Sequence, residues 1–179
     1  MRAVLFAFLL CVLPGCSRKS PEEVAAARIA VLTRIDPETF RDMLIWGRYY
    51  DGRFYTGVLW FKYKSKSYTI PNNLVCDSSM SDSVTKGLVL RFAAANGVGE
   101  DSACIFVRNR FAKAFAIYPK LEVEKISNLS DSSKAIIFSY PDQQDIMYCP
   151  NRYKIKNEYW AQWLSHAKSF RGKWFYGKS

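Results

Sequence analysis

One histidine, five cysteines and sixteen carboxylates bound the chemistry open to this 179-residue chain. A nucleophile–base couple would join His166 to Cys76, Cys104, Cys149 or a serine, since an activated thiol or hydroxyl needs a base within hydrogen-bond reach. His166 is instead expected on a helix face with Tyr159, Trp163 and Phe170, where an imidazole packs or meets solvent. A tetrahedral zinc site needs closely spaced thiolates and imidazoles. With no CxxC spacing and a single histidine, neither a metal nor a cofactor is expected. The Asp and Glu residues are scattered, and no pair stands out as the acid/base couple of glycoside cleavage. Gly97-Val98-Gly99 follows a helical stretch rather than a strand, the wrong context for a phosphate loop. No catalytic residue is assigned.

The most informative chemistry is at the N-terminus. Met1-Arg2 precedes an apolar run from Ala3 to Leu13, followed by Pro14-Gly15-Cys16. A positive start and about 7–15 apolar residues have the layout of a secretory signal. The run is too short to span a bilayer, which takes about 20 residues as a helix. Leu13-Pro14-Gly15-Cys16 resembles the bacterial lipobox, departing from it at Pro14, where alanine or serine is usual. The resemblance covers about sixteen residues. It implies acylation of Cys16, cleavage after Gly15 and a lipid anchor to membrane. Ser17, in place of an Asp after the acylated cysteine, implies the outer membrane, facing the periplasm, if the source is Gram-negative. The expected organisation is a cleaved leader at 1–15, a lipidated tether at 16–20 and one globular domain at 21–179.

Composition agrees with a chain that buries a core: 49% of residues are hydrophobic and 23% charged. The apolar run from Leu88 to Ala95 is interrupted by Arg91 and is too short to cross a membrane. The 26 Lys and Arg against 16 Asp and Glu give +10, and loss of Arg2 with the leader leaves +9. Such a surface favours anionic headgroups, polyanionic envelope polymers or an acidic protein, or serves solubility alone. An envelope anchor argues against nucleic acid as partner.

Cys11 leaves with the leader and Cys16 is acylated on this reading, so Cys76, Cys104 and Cys149 remain in an oxidising compartment. Cys76 and Cys149 both stand where a strand meets a turn and are the expected disulfide. Cys104, within Ala103-Cys104-Ile105-Phe106-Val107, is the alternative partner or a free core residue.

The elements that must position these residues follow from caps and periodicity. Ser20-Pro21-Glu22-Glu23 is a helix start, with Ser as N-cap, Pro at the first position and Glu at the third. Asp36-Pro37 repeats the signal for a second helix to about Trp46. Asp51-Gly52 reads as a hairpin turn between aromatic runs. A strand from Leu59 to Lys66 would place Trp60, Lys62, Lys64 and Lys66 on one face. Those lysines are either solvated edge residues or a basic stripe for an anionic surface. A helix from Val84 to Ala95 ends at Asn96-Gly97. Ala103–Val107, Ala114–Tyr118, Leu121–Ile126 and Ala135–Tyr140 read as strands, and 157–170 as a last helix. The aromatic–cationic tail with Trp174 and Tyr176, together with the lysine stripe, is a candidate partner surface. So is the set Tyr49, Tyr50, Phe54, Tyr55, Trp60 and Tyr63 near Arg48 and Arg53, although these rings are also good core fillers.

The expected class is α+β, with N-terminal, central and C-terminal helices packed on a mostly antiparallel sheet. The functional expectation is a non-enzymatic, lipid-anchored envelope protein that binds another protein, as an accessory, immunity, exclusion, secretion or conjugation factor. The alternatives are a binding module for anionic polymer or lipid, and a hydrolase with an unrecognised arrangement.

Overall fold

A computed structural model describes residues 19–50, 53–70 and 83–178. In chain order the main elements are α1 (Pro21–Leu32), β1 (Met43–Tyr50), β2 (Arg53–Tyr63), β3 (Lys66–Ile70), α2 (Ser83–Asn96), α3 (Glu100–Ile117), β4 (Lys125–Asn128), β5 (Ile136–Ser139), β6 (Gln144–Tyr148), α4 (Glu158–His166), β7 (Lys168–Phe170) and β8 (Trp174–Lys178). The fold is α+β. Its strands form one antiparallel sheet in the order β3-β2-β1-β4-β5-β6-β8-β7.

Local signals explain the helix ends. The Ser20 hydroxyl accepts from the Glu23 N–H at 3.2 Å, and the Glu23 carboxylate accepts from the Ser20 N–H at 2.7 Å, a closed capping box. Gly97, with φ +63°, ends α2, and the Val98 N–H returns to the Ala93 carbonyl at 3.2 Å. The Asn157 side chain caps α4 through the Trp160 N–H at 3.1 Å.

Several sequence expectations are corrected. The helix expected from Asp36 to Trp46 is one 3₁₀ turn, Pro37–Phe40, ended by Asp42 at φ +58°; β1 follows. Asp42 is held by Asn128, whose Oδ1 accepts from the Asp42 N–H at 3.2 Å. Its Nδ2 donates to the Phe40 and Met43 carbonyls at 2.9 and 2.6 Å. The strand expected over 59–66 turns back at Lys64-Ser65, both left-handed, in the two-residue turn that suits a twisted hairpin. The strand expected at 103–107 is part of α3, and that expected at 114–118 is its last turn running into a 3₁₀ turn, Tyr118–Leu121. The buried α3 residues Ala103, Val107, Phe111 and Ala114 recur every three or four positions, the helical period. The last helix stops at His166, and the tail becomes the β7–β8 hairpin.

The sheet separates two cores. On its inner face Ile45, Phe61, Ile126, Phe138 and Ile146 pack beneath α1, α2 and α3. Phe61 is central there: its ring lies 5.2 Å from Tyr68 of β3, 5.2 Å from Phe111 of α3 and 6.0 Å from Phe92 of α2. The smaller core on the outer face joins Ile137, Met147 and Phe175 to Trp163 of α4. A Cβ on Gly177 would stand 3.2 Å from the Trp163 ring, so any larger residue there requires the ring to shift by a few tenths of an ångström. Helix α4 covers only the β5–β6–β8 half of the outer face. Among the described residues no helix is long and apolar enough to cross a membrane.

Candidate functional site: the open half of the outer sheet face

Directly opposed residues of antiparallel strands share a face, so the register sorts the sheet. Leu44 opposes Trp60, Trp60 opposes Thr69, Lys62 opposes Ser67, and Trp46 opposes Lys125. All lie on the face away from α1–α3, beyond the reach of α4. Trp46 is 38% exposed, while Leu44, Trp60, Lys62 and Lys125 are half-buried. The Lys62 ammonium is 5.8 Å from the centre of the Trp60 ring, a spacing at which ring and cation attract. A surface with two tryptophans, a leucine and flanking cations can bury apolar area and still select an acidic rim on its partner.

The residues singled out from sequence are distributed as follows. Cys16 and Cys76 lie outside the described residues. Cys104, half-buried on α3, is disulfide-bonded, and its partner also lies outside the described residues. Cys149 is a free, buried thiol, so the expected Cys76–Cys149 bridge is not formed. The sheet stands between the two described cysteines: Cys149, just after β6, lies in the outer-face core with Trp163 and Phe175, while Cys104 is on the helical side of the sheet. Burial pushes the Cys149 thiol above its ordinary pKa. It should therefore resist alkylation in native buffer and react only on unfolding, read by peptide mapping of maleimide adducts. Fast native labelling at Cys149 would contradict this packing.

The lysine stripe dissolves at the Lys64-Ser65 turn. Lys62 is on the outer face, Lys64 in the turn, and Lys66 opposes Tyr63 on the inner face. Trp174 is buried in the inner core and is no surface residue, because β8 is an interior strand paired to β6 and β7. Tyr176 is half-buried against the same core. His166 is exposed; its Nδ1 lies 3.0 Å from the Gln162 carbonyl and 3.3 Å from Ser165 Oγ. The Ser165 hydroxyl donates to that same carbonyl at 2.7 Å, so both side chains satisfy the end of α4.

Several clefts open elsewhere among the described residues, and two of them lie beside residues considered above. One of about 710 Å³ runs between the 3₁₀ turn and α3, lined by Asp36, Thr39, Ile105, Asn109, Arg110 and Lys113 among others. Arg110 donates to the Arg41 carbonyl there. Burial pulls its guanidinium below the ordinary value and Asp42 pushes it back up. The second, of about 430 Å³, lies between α4 and β8 beside Tyr159, His166 and Lys178. Sequence reasoning missed Leu44 and Trp46 because the segment read as helix; their alternation with the buried Met43 and Ile45 is the strand signal that identifies them.

An α+β domain whose outer sheet face is only half covered by the described residues is the class that this geometry defines. No family model matches the chain, and no solved structure matches it. Among curated proteins, 124 of its residues are similar, at 24% identity, to the "Probable dipeptidyl-aminopeptidase B" of Uncinocarpus reesii (strain UAMH 1704). The match takes in 69% of this chain and 12% of that protein's length.

Proposed function

We propose that the protein is a lipid-anchored factor of the bacterial envelope that binds another protein through the open outer face of β1, β2 and β3. The observation that supports the binding role is Trp46, 38% exposed beside Leu44 and Trp60 on the half of the sheet left bare by α4. Large aromatics in solvent are costly unless a partner removes them from water. Lys62 and Lys125 at the flank select a partner whose contact surface is apolar at its centre and acidic at its rim. Anchoring rests on the lipobox ending at Cys16.

A photo-crosslinking residue at Trp46 in intact envelopes tests the binding face. One discrete protein adduct is expected, absent when the probe is at Ile105 on α3 and lost on Lys62→Glu with Lys125→Glu. Equal adducts from both probe positions, or an adduct indifferent to the charge reversal, would overturn the assignment. Anchoring is read separately: Cys16→Ser should abolish incorporation of radiolabelled palmitate.

The net charge of +10 favours a second reading, binding of an anionic envelope polymer. That binding would fall steeply with salt, since exposed charges are screened beyond about 10 Å at 0.1 M. A hydrolytic reading has the distant peptidase similarity and the Ser165–His166 proximity behind it. It is the weaker reading, because both groups are engaged with the same helix-end carbonyl.

A further inference from the structure

The cleft of about 710 Å³ between the 3₁₀ turn Pro37–Phe40 and α3 holds two groups that the fold leaves unmatched. The first is a hydroxyl. Thr39 lines the cleft and is 7% exposed, and its Oγ1 is buried with no hydrogen-bond partner among the described residues. Buried polar groups are nearly always paired, so an unpaired one marks a place where a ligand atom would be welcome. The second is a cation. Arg110 is half-buried and donates to the Arg41 carbonyl. Asp42 favours its charge, but no carboxylate forms an ion pair with it among the described residues. A cation drawn partly out of water without a counter-charge is costly.

The other lining groups define what would match them. Phe106, Arg110 and Lys113, spaced four and three apart, share one face of α3. Lys113 is exposed and also in no ion pair among the described residues. Across the cleft, both carboxylate oxygens of Glu38 accept from Arg41, so those two charges cancel. Asp36 Oδ1 accepts from the Glu38 N–H at 3.1 Å and caps the 3₁₀ turn. Arg110 and Lys113 therefore outweigh Asp36 by one positive charge, a balance that suits a monoanion better than a dianion. Ile105, 50% exposed, and the half-buried Phe106 add an apolar wall. An apolar lining with a few placed polar groups, in a volume of roughly 300–1,000 Å³, is the usual form of a small-molecule site.

We infer that this cleft binds a small organic monocarboxylate with an apolar body. Arg110 and Lys113 hold the carboxylate, the Thr39 hydroxyl donates to one of its oxygens, and the body lies on Ile105 and Phe106. The inference needs neither the protein-binding face nor the lipid anchor. Its test titrates octanoate and 3-phenylpropionate into the mature chain from residue 16, carrying Cys16→Ser, and follows backbone amide shifts. Shifts should concentrate at Thr39 and from Ile105 to Lys113, and octanol, the neutral counterpart of octanoate, should bind at least about tenfold more weakly. Arg110→Gln should weaken octanoate binding at least about tenfold, with much of the loss restored in Arg110→Lys. Thr39→Val should weaken it about fivefold yet melt no lower than the parent, because the unpaired hydroxyl is gone. Asp36→Asn keeps the cap, removes a repelling charge and should tighten binding about threefold. Lys154→Gln, the loss of an exposed cation that does not line the cleft, should change nothing. No binding of either carboxylate, shifts centred elsewhere, or octanol binding as tightly as octanoate would overturn the inference. So would an Asp36→Asn protein that binds more weakly, or a Thr39→Val protein that melts lower and binds unchanged.

Discussion

Phe61→Ala should cost about 3–5 kcal/mol, a large part of the 5–15 kcal/mol by which a domain is usually stable. Phe61 is 1% exposed, and its ring is shared by three elements: Tyr68 on β3, Phe92 on α2 and Phe111 on α3. Truncation removes the transfer free energy of the ring and leaves a cavity. The surrounding rings cannot readily collapse into it, because Phe92 is already stacked on Phe106 at 5.0 Å and packed against Tyr63 at 5.2 Å. The predicted fall in melting temperature is roughly 10 °C, at about 2–4 °C per kcal/mol for a chain of this size. Ile105→Ala is the contrast. It lies on α3, one of the helices that Phe61 touches, but is 50% exposed, and should change stability by no more than about 0.5 kcal/mol. A Phe61→Ala protein that melts within a degree or two of the parent would mean that α2 and α3 are not held to the sheet by this cluster.

The contrast between Phe61 and Ile105 also shows why some of the fold was legible and some was not. Caps are local, so Ser20-Pro21-Glu22-Glu23 and Asn157 mark their helix starts correctly from sequence alone. Helix α2 carries a clear stop at Gly97, and 83–96 closely matches its expected span. Helix α3 carries the apolar runs Ala103–Val107 and Ala114–Tyr118, which read as two separate strands. Only the spacing of Ala103, Val107, Phe111 and Ala114 reveals one continuous face, because tertiary burial outweighs local propensity. The Lys64-Ser65 turn lacks glycine, so nothing in its composition marks the two left-handed residues that disperse the lysines. Trp174 and Phe175 are buried on opposite faces of β8, in different cores. With both faces covered, that strand has no polar alternation and passes for an exposed aromatic tail. The candidate site was hidden for a related reason. Trp46 becomes visible as a surface residue only once β1 is a strand and its neighbours Ile45 and Gly47 are known to be buried.

Arg28→Ala should destabilise by about 2–3 kcal/mol, and the division of that cost discriminates among the contacts of one side chain. The Arg28 Nη1 donates to both carboxylate oxygens of Asp142, at 3.0 and 2.9 Å, and to Gln144 Oε1 at 2.8 Å. Its guanidinium also stands 3.9 Å from the centre of the Tyr140 ring. The ion pair is the conspicuous contact, yet the Asp142 side chain is 53% exposed, and exposed pairs contribute about 0–1 kcal/mol. Gln144 is 6% exposed and Tyr140 4%, so removal of the arginine strands a buried amide oxygen and uncovers a buried ring face. Asp142→Ala should therefore cost no more than about 1 kcal/mol. Arg28→Lys should fall between the two, since an ammonium reaches one acceptor where the planar fork also covers the ring. Urea midpoints of the three variants, with unchanged slopes, decide the matter. Equal losses for Arg28→Ala and Asp142→Ala would mean that the surface ion pair, rather than Gln144 and Tyr140, fastens α1 across the end of the sheet where the chain enters the domain.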